Sequence, residues 1–411
     1  MSTKHIRGRF LFKEVNERGH DLPLGSVTKD GGVEYRSDLD ISVWNPGDDV
    51  SGYKRVRPDD FVIGLRSFQS GIGHSSIEAL VSPAYTVLRS VSPLVHPPFF
   101  RHLFKSSWYV SHLENVAQGI RQGRTIAVED FYNIECPIPP LQKQWAIADY
   151  LDTETARIDA LIEKKRQLIE LLDERRSAFI GRAVTVGLDD ARTTSTGNEF
   201  APIVREGWTL NRLRHVVEQI VDTAHKTAPV VDDGEYLVVR TANVKSGTLV
   251  LDGARYTDKA AWTEWTARGV PAAGDVIFTR EAPAGEACLV PEGTTLCIGQ
   301  RTVLLRPNKS MIDGEWIVHS IYSGAAQRFI ELLSKSTTVP HINISDIPDM
   351  PVVLPPLEEQ KSVLSAVRRE VSRLVGLKEK LRDQIDLLHE RRQALITAAV
   401  TGGLEVPGVA A

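Results

Sequence analysis

The chain has 411 residues, 42% of them apolar, and a formal net charge of −4. That length points to two or three domains, and that composition excludes a mainly disordered protein. No run of ~18 uncharged apolar residues occurs, so no membrane span is expected, and the first fifteen residues lack the apolar core of a secretory signal. Cys136, Cys288 and Cys297 form no C-x-x-C pair, so neither a disulfide framework nor a zinc site is expected. They read as reduced, buried thiols of a cytoplasmic protein.

In chain order, residues 1–137 carry short β-type runs, Phe61-Val62-Ile63 and Thr86-Val87-Leu88, between Gly, Pro and Asp turns. A helix is expected over 99–118. Ile138-Pro139-Pro140-Leu141 then halts the chain and pre-sets φ for a helix start. No further Pro occurs before Gly187, a helix stop. Leu151, Ile158, Leu172 and Phe179 recur at heptad spacing, with Lys165 the one exception. That spacing predicts a long helix with an apolar seam, which needs a partner helix.

Residues 189–353 return to β-type runs at Tyr236-Leu237-Val238-Val239, Val276-Ile277-Phe278 and Thr302-Val303-Leu304-Leu305, with a helix expected over 314–333. Leu354-Pro355-Pro356-Leu357 opens a second long helix ending at Gly402-Gly403. Its seam is Val367, Leu374, Leu381, Leu388 and Leu395. Leu161, Leu168 and Leu377 add a partial second row across the two helices.

The chain repeats itself. Residues 138–188 align without a gap on 354–404 at an offset of 216, with 23 of 51 positions identical. Fainter matches run upstream, including Val62-Ile63 and Arg66 with Val276-Ile277 and Arg280, and Ile126 with Ile342. The expected fold class is α+β, with two domains of mixed α/β structure joined by two long antiparallel coiled-coil helices as a pseudo-twofold internal repeat. The expected boundaries are 1–137, helix 138–188, 189–353, helix 354–404, and a tail 405–411. The second domain is longer because it carries extra residues in its N-terminal part.

Catalytic motifs are missing. Gly71-Ile72-Gly73 lacks a third glycine and a βαβ context, and its counterpart is Pro283-Ala284-Gly285. No P-loop, H-E-x-x-H or G-x-S-x-G is present. His96-Pro97-Pro98-Phe99 has His where an amino methyltransferase needs Asn or Asp. The acidic pairs Asp59-Asp60 and Asp232-Asp233 form no nuclease pattern.

Recognition remains. The 49 cations are 33 Arg and 16 Lys, and Arg suits paired hydrogen bonds to guanine or phosphate. Candidate DNA-contacting residues at expected turns are Lys54, Arg55, Arg57, Arg66, Gln69, Arg121, Gln122 and Arg124 in the first domain. In the second they are His225, Lys226, Thr227, Arg240, Asn243, Arg280, Gln300, Arg301, Lys335, Thr337, Thr338 and His341. Arg66 and Arg280 recur at equivalent places, which fits either base contact or a fold support bound to a carboxylate. A coiled-coil adaptor that binds no DNA, and an enzyme with an unrecognised site, are the alternative readings.

The order of variable domain, P-[IL]-P-P-L-x-x-Q helix, second variable domain and repeated helix resembles the specificity subunit of type I restriction-modification systems. The residues carrying the resemblance are Pro139-Pro140-Leu141 with Gln144, Glu174-Arg175-Arg176 and Ala183-Val184-Thr185, and their equivalents Pro355-Pro356-Leu357 with Gln360, Glu390-Arg391-Arg392 and Ala399-Val400-Thr401. Gln142-Lys143 departs from the acidic residue usual before that Gln. The resemblance implies two target recognition domains, each reading half of a bipartite double-stranded DNA site. It also implies helices that act as spacer and dock two methyltransferase subunits, with restriction subunits joining that core. The chain itself is then non-catalytic and holds no cofactor, while S-adenosylmethionine, Mg and ATP belong to the partner subunits. Glu174, Arg175, Arg176, Glu390, Arg391 and Arg392 are the candidate docking residues.

Overall fold

The computed structural model describes residues 4–18, 21–28, 32–39, 50–116, 126–223, 226–334 and 341–407. The chain divides into two units, Met1–Arg166 with Leu381–Ala411, and Gln167–Lys380. Each unit holds one strand-rich domain together with part of each long helix, Leu141–Val186 and Leu357–Thr401.

Both long helices start directly after a Pro-Pro pair and stop at a glycine in the left-handed region, Gly187 at φ 82° and Gly402 at φ 81°. A Cβ is disfavoured at that conformation, which is why glycine ends the helix there. In the first unit Asp159 pairs with Arg392 at 3.0 Å and Lys165 donates to Gln384 at 2.6 Å. In the second unit Asp173 accepts from Lys378 at 2.5 Å, and Arg175 meets Glu370 at 3.7 Å. Within each unit the partner's number falls as the first helix's number rises, so the helices run antiparallel. Lys165, the break in the heptad, thus bridges to the partner helix instead of filling the seam. The seam buries Leu151, Ile158 and Ile162 in the first helix and Val367, Leu374 and Ile385 in the second. Leu161, Leu168 and Leu377 do not form a second buried row: they are 48%, 48% and 38% exposed.

The two domains share one frame. A four-stranded antiparallel sheet in the first runs in the order Phe12–Val15, Thr86–Ser90, Phe61–Ile63, Gly73–His74. Its equivalent in the second runs Val217–Asp222, Thr302–Pro307, Val276–Thr279, Ala287–Leu289. A two-stranded ribbon precedes each long helix: Lys4–Arg7 on Glu135–Ile138, and Thr209–Arg212 on Pro351–Leu354. The expected helices 99–118 and 314–333 are each two helices, Pro97–Leu103 with Ser107–Val116 and Gly314–Ile321 with Gly324–Ser334. In the first pair Ser106 makes the break, its hydroxyl accepting from Tyr109 N at 3.2 Å and donating to Leu103 O at 2.6 Å.

Each domain is clamped to its helix by a fully buried glutamine. Gln144 accepts from His96 N at 3.0 Å and donates to Leu94 O and Pro139 O at 2.8 and 2.9 Å. Gln360 accepts from Asp313 N and donates to Met311 O and Pro355 O, each at 2.9 Å. One buried amide thus serves three backbone groups, of which the proline carbonyl is buried. A second shared device is a buried aspartate with a two-pronged arginine. Asp60 holds Arg89 at 2.7 and 2.6 Å, and Asp275 holds Arg306 at 3.2 and 2.8 Å.

The cores differ in content. The first packs Phe12, Phe61, Phe100 and Phe104 edge to face, at 5.1–5.5 Å, over Ile147, Leu151, Ile396 and Val400. The second sets Trp208 against Trp316 at 5.7 Å over Ile180, Val184, Val363 and Val367. All three cysteines are free and buried; burial pushes the Cys136 and Cys288 thiols up to about 12 and Cys297 to about 11. Among the described residues no helix is long and apolar enough to cross a membrane, and no cluster could hold a metal ion.

Candidate nucleic-acid interface

The structure separates the candidate residues by what already occupies their side chains. Lys54 Nζ donates to Tyr85 O at 2.7 Å, Arg55 Nε donates to Glu78 at 2.7 Å, and Arg57 donates to Glu17 at 3.0 Å. Asn243 is fully buried, accepting from Arg240 N at 3.1 Å and donating to Val250 O at 2.9 Å. Arg280 donates from Nε to Ile342 O at 3.1 Å and sits 3.7 Å from Asp222. Asn243 and Arg280 thus already serve the fold, because releasing either leaves buried polar groups unpaired. The correspondence of Arg66 with Arg280 does not extend to their surroundings, since Arg66 is exposed beside the short helix Ser67–Ser70. His341 is 2.9 Å from Glu281. Arg121, Gln122, Arg124, His225, Lys335, Thr337 and Thr338 lie outside the described residues.

Two clefts gather what remains. In the first unit Gln69 borders a cleft of about 560 Å³ with Arg101, Lys105 and Arg392. Its arginines are already countered, Arg101 by Asp152 and Arg392 by Asp159. In the second unit a cleft of about 270 Å³ brings together Arg240, Gln300 and Arg301 from separate stretches of sequence. The 3-10 turn Thr241–Asn243 and the strand Tyr236–Val239 place Arg240, and the loop after the strand Leu296–Ile298 places Gln300 and Arg301. Lys226 is exposed next to Thr227, which belongs to the same cleft.

Arg255 joins them and was not legible in the sequence. It opens the strand Arg255–Thr257, whose backbone pairs with Val238. None of the matches between the two copies includes it. Among the described residues no Asp or Glu lines this cleft. A concave surface of arginine and amide donors, without carboxylates, suits a ligand rich in hydrogen-bond acceptors, as nucleic acids are.

Residues 205–387 match the family described as the type I restriction modification DNA specificity domain. The chain is 24% identical over 418 residues to the EcoKI specificity subunit of Escherichia coli K12, covering 98% of this chain and 87% of that one. It is 21% identical over 420 residues to the EcoBI specificity subunit of Escherichia coli, covering 98% and 85%. Over nearly its whole length this chain is similar to type I restriction enzyme specificity subunits. The fold of this chain agrees with a chain solved in a study of complex assembly and conformational transition of the type I R-M system. The TM-score is 0.66 at 19% identity, over 85% of this chain and 84% of that one.

The candidate docking residues divide in the same way. Glu174, Glu390 and Arg391 are exposed, and Arg175 is exposed beside Glu370. Arg176 is turned inward, donating to Ser246 O at 2.8 Å, and Arg392 pairs with Asp159. The helices run on to Val186 and Thr401, so none of these arginines lies in a last turn, where the helix dipole acts.

Proposed function

We propose that this specificity subunit directs a type I complex to a bipartite DNA site. The domain within 1–137 reads one half-site and that within 189–353 reads the other. The helices 138–188 and 354–404, followed by the tail 405–411, set the gap between half-sites and carry two methyltransferase subunits; restriction subunits join that core. The chain acts without catalysis of its own, in the cytoplasm, with S-adenosylmethionine, Mg and ATP held by its partners.

The observation that carries this reading is duplication with divergence. Two domains with the same sheet order and the same glutamine clamp present different surfaces, in a family whose members specify DNA sites. Two different surfaces on one frame suit two different half-sites, so the target is asymmetric. Charge fits a subunit that works in a complex. Residues 1–137 balance 16 cations with 16 anions, and residues 189–353 carry 16 against 21. Tight DNA binding normally rests on cations that neutralise phosphates, so the partners must supply many of them. For docking, the exposed Glu174, Arg175, Glu390 and Arg391 are better placed than the inward Arg176 and Arg392.

The test is helix length. Removing one heptad from 161–167 and the register-matched 384–390 shortens each helix by about 10 Å, or about three base pairs. Co-expressed with the methyltransferase, this variant is expected to methylate sites with the same bases and a shorter gap. An unchanged gap contradicts the spacer role.

A further inference from the structure

We propose that the cleft of the second domain reads a guanine in its half-site, with Arg255 as the reading residue and Arg240 as the residue that positions it. This rests on the DNA-recognition reading above and names what one part of that surface recognises. Arg255 is exposed, and its side chain has no hydrogen-bond or ion-pair partner among the described residues. A free guanidinium in a concave wall keeps its whole donor fork for a ligand. Arg240 explains why the fork stands where it does. Its Nη2 donates to Gly253 O at 2.7 Å, two residues before Arg255, and so ties down the turn that carries it. The Nε of Arg240 is buried without a partner among the described residues, a cost accepted inside the cleft wall.

The chemistry of the remaining groups selects the ligand. Gln300 accepts from Thr227 Oγ1 at 3.3 Å through its amide oxygen, which leaves the amide nitrogen to donate. Arg301 is drawn towards Glu281 at 3.4 Å. The free polar groups around Arg255 are thus mainly donors, and the ligand must offer acceptors. Between them lies an apolar floor of Ala228, Val230, Val238 and Ala242. A phosphate gains nothing from such a floor, whereas a base pair presents apolar surface beside its polar edge. In the major groove guanine offers two adjacent acceptors, N7 and O6, matched to one arginine fork, while adenine offers an acceptor and a donor.

The experiment compares wild type, Arg255→Ala and Arg255→Lys, each assembled with its methyltransferase subunits. Methylated sites are sequenced genome-wide, and DNA affinity is measured against salt concentration. Arg255 holds nothing in the folded protein, so both variants are expected to melt as wild type does. Both are expected to relax one guanine of the second half-site, with discrimination there falling about ten- to a hundredfold, and to keep the first half-site intact. Lysine does not rescue, because it keeps the charge and loses the fork. If affinity instead falls equally for all sequences and lysine restores it, Arg255 contacts phosphate and the proposal is overturned. A bipartite site whose guanines stay equally fixed in both variants overturns the assignment of Arg255 alone. A wild-type complex without any bipartite site overturns the recognition reading, and this proposal with it.

Discussion

The first and second units solve one mechanical problem in two ways. Gln144 and Gln360 make the same three backbone hydrogen bonds at positions 216 residues apart. Eight residues further along each helix, the charges are reversed. Asp152 of the first helix takes Arg101 and His102 from its domain, whereas Arg368 of the second helix donates to Glu315 at 2.7 Å. A residue that serves backbone groups has little freedom, because every chain presents the same N–H and C=O. A residue that serves another side chain is free to exchange sign with it, because an ion pair keeps its geometry when both charges swap. The frame therefore persists in both copies where it binds backbone and diverges where it binds side chains.

The sharpest way to break that comparison is at the clamps. Gln144→Leu and Gln360→Leu each remove three backbone hydrogen bonds, one of them to a buried proline carbonyl, and leave a buried leucine in place of an amide. The loss is about 1–3 kcal/mol for the buried group and less for the others. Each is expected to destabilise its own unit by the sum of these, read by hydrogen exchange resolved along the chain in rising denaturant. Comparable losses support equivalence; a loss in one copy only separates them. The reversed charges give a smaller effect. Arg368→Glu alone sets two carboxylates together and is expected to cost about 1–2 kcal/mol, while Arg368→Glu with Glu315→Arg recovers most of it. A double-mutant cycle with no coupling contradicts an interchangeable pair.

The pH response separates the units further and is the gentlest probe. Burial opposes a charge on Glu315, but His319 and Arg368 outweigh it and hold the carboxyl at about 2 instead of 4.5. A depressed carboxylate stabilises above its unfolded value, and that contribution is lost as pH falls from about 4.5 towards about 2. With Arg368 partly in water, the loss is about 1–2 kcal/mol. In the first unit, burial lowers His74 and His102 below 6.5, against the pull of Asp59 and Asp152. A buried neutral histidine stabilises above its unfolded value, so this unit is expected to weaken already as pH falls through about 6.5. Protection factors, taken relative to the intrinsic exchange rate at each pH and followed from pH 8 to 3, are expected to fall first in the first unit; simultaneous onset contradicts the assignment.

The long helices were legible because Pro-Pro, the heptads and the terminal glycines act locally, on the residues beside them. The sheet strands at 61–63, 276–279 and 302–307 also follow their β-branched and aromatic runs. Less legible was anything decided by a distant partner. Arg280 looks like a reader until Ile342 and Asp222 are placed around it. Leu161 and Leu168 look like seam residues until the helix phase turns them to solvent. The glutamine of the P-P-L-x-x-Q motif was visible as a repeat, but its role depends on carbonyls about fifty residues away. Arg255 had no repeat to betray it.

Independent reading by the two domains is the central claim, and domain exchange tests it most directly. Residues 1–137 are replaced by the corresponding domain of another specificity subunit, the hybrid is co-expressed with its methyltransferase, and every methylated site is sequenced. One half-site is expected to change completely while the other half-site and the gap stay as they were. A hybrid that alters both half-sites, or neither, contradicts the account.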